Sequence, residues 1–172
     1  MALTLLRHAA LAPQYQGRYN GWKDISIDPA CYVPKKVSLL QQQHFDIVYS
    51  SDLLRCQETL VAMGIETYTT DRRLREVRFK AQIEGLNFDE ISQLPTYQDE
   101  YVESREAWHN YICTETQTAF EQRIQDFLEM LPKDKEILIC SHGGTLQKMM
   151  SLLGYTKANI EYLEWIRIEN GI

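Results

Sequence analysis

The segment Ala2–Ala10 (ALTLLRHAA) decides the fold, because it joins a short apolar run to two polar side chains. Apolar runs of this kind are typical of strands that are covered on both faces, whereas strands with one exposed face alternate apolar and polar residues. Arg7 and His8 follow the run directly. The segment therefore predicts a buried strand whose carboxyl end presents a guanidinium group and an imidazole ring.

Two later segments have the same pattern, an apolar run followed directly by polar residues or glycines. Residues 46–49 (DIVY) lead into Ser50-Ser51, and residues 136–140 (EILIC) lead into Ser141-His142-Gly143-Gly144. Helical patterns follow both segments, and strands that alternate with helices favour a parallel sheet with helices on both faces. We therefore predict an α/β fold, a three-layer α/β/α sandwich around a mostly parallel central sheet.

The rest of the chain supplies the other elements of a single predicted domain over residues 1–172. Ser51 is a suitable N-cap for a helix that ends before Gly64. Residues 84–111 are mostly polar with scattered aromatics, and we expect them to form a helical excursion from the sheet. The apolar spacing predicts two more helices, at residues 120–131 and 145–153, and two more strands, at residues 65–69 and 162–168.

The composition narrows the range of partners. The 172 residues include 24 acidic and 18 basic side chains, which gives a formal net charge of −6. This balance argues against nucleic-acid and anionic-membrane binding, which require a basic surface. No apolar run approaches the roughly 20 residues of a membrane span and no signal peptide is recognisable, so we expect a cytoplasmic protein. The four cysteines form no close pair, which favours reduced thiols.

Sequence motifs of several common active sites are absent. The chain has no G-x-x-x-x-G-K or G-x-G-x-x-G loop, no G-x-S-x-G elbow and no cysteine with an arginine at the C-x5-R spacing. The four histidines are scattered, which argues against a metal site. We therefore expect no metal and no other cofactor.

The ends of the three predicted strands instead bring together groups that bind anions. In open α/β sheets, sites form at the carboxyl ends of the strands, and these ends lead to Arg7, His8, Arg55 and His142. The helix dipole disfavours a cation in the first turn, where Arg55 is expected, unless that cation faces an anion. Two guanidinium groups suit a phosphoryl group, and the amides of Gly143-Gly144 are further candidates for an oxyanion.

Five segments of the chain form a recognisable series of motifs. They are LLRHAA (5–10), GRYNGWKD (17–24), SSDLLRCQETL (50–60), LREVRF with IEG (74–79 and 83–85) and ICSHGG (139–144). In this order they resemble the motifs of the histidine phosphatase superfamily, the phosphoglycerate mutase-like proteins, and segment 17–24 resembles the family's substrate loop. The small size resembles bacterial proteins related to α-ribazole phosphatase. The resemblance implies a phosphoglycerate mutase-like fold.

The resemblance also implies a role for each candidate site residue. His8 is expected to be the nucleophile, which becomes a phosphohistidine. Glu76 is expected to be the proton donor and acceptor, with Glu84 as the alternative. The residues expected to clamp the phosphoryl oxygens are Arg7, Arg55 and His142, and those expected to complete the phosphate and substrate site are Gln14, Asn20, Gly21 and Gly143.

The expected function is a metal-independent phosphomonoester hydrolase that acts on a small phosphorylated metabolite, with α-ribazole 5′-phosphate as a candidate. The short chain favours a phosphatase over a phosphoglycerate mutase-type transferase. A non-catalytic, phosphate-ligand-binding regulatory protein is a further alternative, because Ala9, Ala10 and Leu11 depart from the family's pattern beside the nucleophile. The sequence leaves the oligomeric state open.

Overall fold

The computed structural model describes residues 2–157 and 159–169. Within them, five strands form one sheet: β1 (Ala2–Arg7), β2 (Ile47–Ser50), β3 (Thr69–Thr70), β4 (Glu136–Ser141) and β5 (Trp165–Glu169). The strand order is β3-β2-β4-β1-β5. Neighbouring strands are parallel except for β5, which runs antiparallel to β1. The predicted mostly parallel sheet is confirmed.

Helices cover both faces of this sheet. The described residues form α1 (Leu54–Ala62), α2 (Phe88–Ser92), α3 (Arg105–Ile112), α4 (Gln117–Glu129) and α5 (Gly143–Leu152). Residues of α4 and α5 pack on one face, and residues of α1 pack on the other. The predicted three-layer sandwich is therefore confirmed. No helix in the described part of the chain is long and apolar enough to cross a membrane.

Successive side chains of the central strands enter two different cores, one on each face of the sheet. Leu3 and Leu5 of β1 pack with Ile137 and Ile139 of β4 against α4 and α5. Leu6 lies in the other core, which α1 covers. Successive side chains of a strand point to opposite faces, so an apolar run without alternation supplies both cores.

Residues 84–111 depart from the sheet and contain α2, a 3₁₀ helix at Asp99–Val102 and most of α3. Ile83, Ile91, Tyr111 and Ile112 form a third buried cluster beneath these helices. Asn87 caps α2, since its side chain accepts a hydrogen bond from the amide of Glu90 while Glu90 accepts from the amide of Asn87. The assignment of the whole chain to a single domain stays a prediction.

Three local predictions, of two strands and one helix cap, were wrong. The strand predicted at residues 65–69 reduces to Thr69–Thr70. The strand predicted to begin at Tyr162 begins at Trp165, because the residues before it pack against Arg7 instead of pairing as a strand. Ser51 does not cap α1: the N-cap is Leu53, and the amide of Leu54 donates to the Asp24 carboxylate at 2.6 Å.

Candidate active site

The carboxyl ends of β1, β2 and β4 meet at one edge of the sheet. Arg7 lies beside Ser141, and Ser50 lies beside Cys140 in the parallel register. A cavity of about 210 Å³ opens there. Its lining includes Arg7, His8, Arg55 and His142, which we call the strand-end cluster, together with Asn20, Gly21, Glu76 and Gly143.

His8 is held in the protonation state that a nucleophile needs. Its ring is buried, and Nδ1 lies 2.7 Å from the carbonyl oxygen of Ala9. A carbonyl only accepts hydrogen bonds, so Nδ1 carries the proton and Nε2 of the neutral ring keeps its lone pair. Burial, followed by the charges of Arg55 and Arg7, lowers the pKa of His8 well below its usual value. The imidazole is therefore neutral at pH 7.

Arg7 is fixed on three sides and keeps a donor without a partner. Its Nη1 donates to the carbonyl of Ile160, and its guanidinium carbon lies 4.1 Å from the ring centre of Tyr162. A Cβ atom on Gly143 would lie 3.5 Å from the same carbon, so the helix start also packs against it. Nε is buried and has no hydrogen-bond partner among the described residues. A buried donor of this kind is costly unless a ligand satisfies it, which is consistent with an anion site.

Arg55 links the segment between β1 and β2 to the second histidine. Its Nη1 and Nη2 donate to the carbonyls of Lys23 and Gly21, each at 2.7 Å, and Nε donates to Nδ1 of His142 at 3.2 Å. Burial lowers the pKa of Arg55, but a guanidinium group remains charged at neutral pH. This buried charge lies in the first turn of α1, where the helix dipole adds to its cost.

His142 is likewise neutral and oriented by two neighbours. Because Nδ1 accepts from Arg55, the proton is on Nε2, which donates to Oγ of Ser51 at 2.9 Å. Burial and then the charge of Arg55 lower the pKa of His142 well below its usual value. The rings of His8 and His142 are 5.3 Å apart. Ser51, predicted as a helix cap, instead orients a site histidine.

Glu76 occupies the start of α5. Its Oε2 accepts from the amide of Gly144 at 3.0 Å, and its Oε1 accepts from the amide of Thr145 at 3.1 Å. A Cβ atom on Gly144 would lie 2.6 Å from Oε1, so a side chain at this position would displace the Glu76 carboxylate. The Gly144 amide, a predicted candidate for an oxyanion, therefore donates to a side-chain carboxylate in this structure.

The structure separates Glu76 from the alternative acid, Glu84. Glu76 lines the cavity, whereas Glu84 is outside the lining and its Oε1 accepts from the amide of Trp22 at 2.7 Å. The indole Nε1 of Trp22 in turn donates to the carbonyl of Glu76. Glu84 and Trp22 therefore fix the loop that lies beside Glu76.

Three of the four residues predicted to complete the phosphate and substrate site reach the cavity. Asn20, Gly21 and Gly143 line it. Gly21 has a left-handed φ of 47°, and a Cβ atom there would lie 2.8 Å from both Phe79 and Glu84. Gln14 does not line the cavity: it is exposed on a 3₁₀ helix, Pro13–Tyr15, and the prediction that it binds phosphate has no support in this geometry.

Tyr162 lines the cavity, although nothing in its sequence context predicted this. Its ring centre is 5.5 Å from that of His8, and its ring lies under Arg7. The next residue, Leu163, is buried with a left-handed φ of 59°, a costly conformation for a side chain of this size. The Leu163 amide donates to the carbonyl of Arg7 at 3.2 Å. This bend holds Tyr162 against the strand-end cluster.

Four further lining residues also escaped prediction: Leu11, Arg18, Tyr19 and Phe79. Arg18 and Tyr19 lie within the predicted substrate loop, so that loop gave a signal for them. Leu11 lies in the segment beside the nucleophile, and Phe79 ends the motif at residues 74–79, so both also had a signal in the sequence. No group of three or more His, Cys, Asp or Glu side chains among the described residues is arranged to hold a metal ion.

Comparisons with known proteins agree with this geometry. The sequence model of the family described as the histidine phosphatase superfamily (branch 1) matches residues 3–171 of this chain. This chain belongs to the histidine phosphatase superfamily. The resemblance seen in the five motifs is therefore confirmed.

Within this superfamily the relatives have several activities. A Hydrogenobacter thermophilus protein provisionally named phosphoserine phosphatase 2 is 30% identical over 98% of this chain and 85% of its own length. A 2,3-bisphosphoglycerate-dependent phosphoglycerate mutase of Pseudoalteromonas atlantica is 25% identical over 86% of this chain and 82% of its own. The structure of TTHB049 from Thermus thermophilus superposes with a TM-score of 0.73, at 23% identity over 98% of this chain and 94% of that one. The last likeness establishes the fold alone.

Proposed function

We propose that this histidine phosphatase hydrolyses small phosphomonoesters through a phosphohistidine on His8. The observation that carries the proposal is the state of the His8 ring. Nδ1–H is committed to the carbonyl of Ala9, so the Nε2 lone pair is available. Two arginines and a second histidine line the same cavity, where they would stabilise the charge of a phosphoryl group in transfer.

In the first step, the Nε2 lone pair attacks phosphorus and forms the N–P bond as the ester P–O bond breaks. Glu76 in its acid form gives its proton to the departing alcohol oxygen, which has a high pKa and needs an acid. Arg7 and Arg55 contact the phosphoryl oxygens. The Nε2–H of His142 contacts them only if it leaves Oγ of Ser51, to which it now donates. Arg7 already has an unpartnered buried Nε for this purpose.

In the second step, the Glu76 carboxylate takes a proton from water, and the water oxygen attacks phosphorus. The N–P bond breaks, its electron pair returns to Nε2, and inorganic phosphate leaves. Hydrogen bonds from the Gly144 and Thr145 amides hold the Glu76 carboxylate in one position for both steps. The residues need no metal ion or other cofactor for this sequence.

Hydrolysis is favoured over phosphoryl transfer to a second hydroxyl by the phosphatase name of the 30% identical relative. The natural substrate proposed here is a small cytoplasmic phosphorylated metabolite, and α-ribazole 5′-phosphate is the candidate that the sequence resemblance supplies. The apolar Ala9-Ala10-Leu11 segment keeps a non-catalytic phosphate binder as the second candidate.

The deciding experiment mixes the protein with 4-nitrophenyl phosphate, quenches it in base and identifies the phosphorylated residue by mass spectrometry. We expect phosphate on His8 and release of inorganic phosphate without a bisphosphate primer. Transfer that requires such a primer and a second hydroxyl acceptor would establish a mutase. Phosphate binding without any phosphoenzyme or turnover would establish the non-catalytic binder.

A further inference from the structure

Outside the strand-end cluster, four side chains of the cavity lining consist mostly of carbon. They are Leu11, Tyr19, Phe79 and Tyr162, and we call these four residues the outer wall. In a phosphomonoester bound by the cluster, the group that leaves with the ester oxygen would extend past these side chains. The chemistry of the outer wall therefore bears on which leaving groups the site accepts.

Aromatic contacts hold part of the outer wall in place. The rings of Tyr19 and Phe79 meet edge to face, with centres 5.3 Å apart. Tyr19 also packs against Trp108 at 6.0 Å, and Tyr162 lies under Arg7. Such contacts favour a fixed apolar surface over one that rearranges to present polar groups.

Arg18 is the one basic side chain in the described lining besides Arg7 and Arg55, and its charge is already compensated. Nη1 and Nη2 contact the two carboxylate oxygens of Glu90 at 2.6 and 3.2 Å. Nη1 also donates to the carbonyl of Gly85 at 2.8 Å. A paired fork of this kind has little attraction left for a second carboxylate.

We propose that the site selects phosphomonoesters whose leaving group is uncharged and apolar or aromatic, and that it discriminates against those whose leaving group carries a carboxylate. The proposal rests on the proposed hydrolase function. A carboxylate on the leaving group would lose water at the outer wall without gaining a cation. An aromatic ring would instead bury apolar surface against Tyr19, Phe79 and Tyr162.

The test compares two substrates of equal size, 4-carbamoylphenyl phosphate and 4-carboxyphenyl phosphate. We expect kcat/KM to be about tenfold higher for the carbamoyl compound, because one unpaired carboxylate at a partly apolar surface costs at least about 1.4 kcal/mol. The corresponding phosphonates, which cannot be hydrolysed, are compared by their Kd values. Equal Kd values, or tighter binding of the carboxylate, would overturn the proposal.

The phosphonates separate this proposal from the hydrolase function. If the carbamoyl phosphonate binds more tightly and neither ester is hydrolysed, the hydrolase function fails and the preference stands. If both esters are hydrolysed at equal kcat/KM, the preference fails and the hydrolase function stands.

Glu90→Gln tests whether the Glu90 carboxylate compensates the charge of Arg18. The glutamine carbonyl can still accept from the Asn87 amide, which Glu90 now does at 2.9 Å, so α2 keeps its cap. Arg18 loses its counter-charge, and we expect the preference against the carboxylate to shrink about threefold to tenfold. The double variant Arg18→Gln/Glu90→Gln is the matched control. It should restore the wild-type ratio of kcat/KM between the carbamoyl and the carboxyl substrate. If Glu90→Gln leaves this ratio unchanged, the assigned role of the pair is contradicted.

Discussion

The strand-end cluster and the outer wall lie in one cavity but are built in different ways. Arg7 is the last residue of β1, and His8 directly follows it. His142 directly follows β4. Arg55 lies in the first turn of α1, the helix that follows β2. The outer wall comes from four separate loops. Its residues Leu11, Tyr19, Phe79 and Tyr162 are far apart in sequence and are brought together by aromatic packing and backbone contacts.

This difference separates two requirements of the site. Phosphoryl transfer needs charged and nucleophilic groups in fixed positions, which the ends of paired strands provide. Substrate selection needs a surface that can change without disturbing those positions, and loops provide it. Substitutions in the strand-end cluster should therefore affect all substrates, whereas those in the outer wall should affect some substrates or only the strength of binding.

The sharpest test of the strand-end cluster is His8→Ala. Without the nucleophile we expect kcat to fall by about a thousandfold or more for every phosphomonoester. The matched control is His44→Ala, since the His44 side chain is 86% exposed and lies outside the cavity. Steady-state phosphate release gives the measurement. A loss of less than tenfold in His8→Ala would place the nucleophile elsewhere.

Glu76→Gln tests the carboxylate in the described lining of the cavity. We expect kcat to fall by about 10² to 10⁴ for alkyl phosphates and by less than about tenfold for 4-nitrophenyl phosphate, whose leaving group needs no acid. Glu84→Gln is the control, because Glu84 contacts the loop and does not line the cavity. Equal slowing of both substrates would remove the acid role from Glu76.

The buried histidines should also make folding stability depend on pH. The pKa of His142 is well below its usual value of 6.5 in the folded state, so the unfolded chain binds a proton first as the pH falls. The free energy of unfolding should therefore drop below about pH 6.5, by up to about 1.4 kcal/mol per pH unit for each such histidine.

Urea unfolding of the wild type and of His142→Asn at pH values between about 7.5 and 5.5 measures this dependence. The variant should lose less stability over that range than the wild type. His44→Asn, which changes an exposed ring, should follow the wild type. Parallel curves for the wild type and His142→Asn would show that His142 does not contribute.

Tyr162 tests the contact between the two regions. Tyr162→Leu removes the ring under Arg7, and we expect the Kd for inorganic phosphate to rise about twofold to fivefold, the usual worth of a cation–π contact. Tyr162→Phe keeps the ring and should bind phosphate as the wild type does. Calorimetry gives both values. A phenylalanine variant as weak as the leucine variant would assign the effect to the hydroxyl group.

The smallest effect is expected at Gln14. Since this side chain is exposed and outside the cavity, Gln14→Ala should change kcat/KM and the Kd for phosphate by less than about twofold. Asn20→Ala, which alters a residue of the lining, is the comparison and should change them more. A larger loss at Gln14 than at Asn20 would mean that the loop closes over bound substrate.

The sequence predicted the strand-end cluster better than the surrounding loops for a physical reason. A short run such as Ala2–Leu6 has few alternatives to a buried strand, and the residues that follow it must emerge at the same sheet edge as those that follow β4. Ser51 shows the limit of this reasoning. Its position suits a helix cap, yet its hydroxyl accepts from His142 while Asp24, distant in sequence, accepts from the start of α1.

By itself, the sequence determined the parallel sheet, the place of the site at its edge and the residues of the strand-end cluster, because each follows from local strand patterns and from the family motifs. Only the tertiary structure decided that Glu76 rather than Glu84 lines the cavity, that Gln14 does not, and that Tyr162 does. These outcomes depend on contacts between distant segments, such as Trp22 with Glu76 and Leu163 with Arg7. No local pattern encodes such contacts, since their geometry is set by how the loops pack once the sheet has formed.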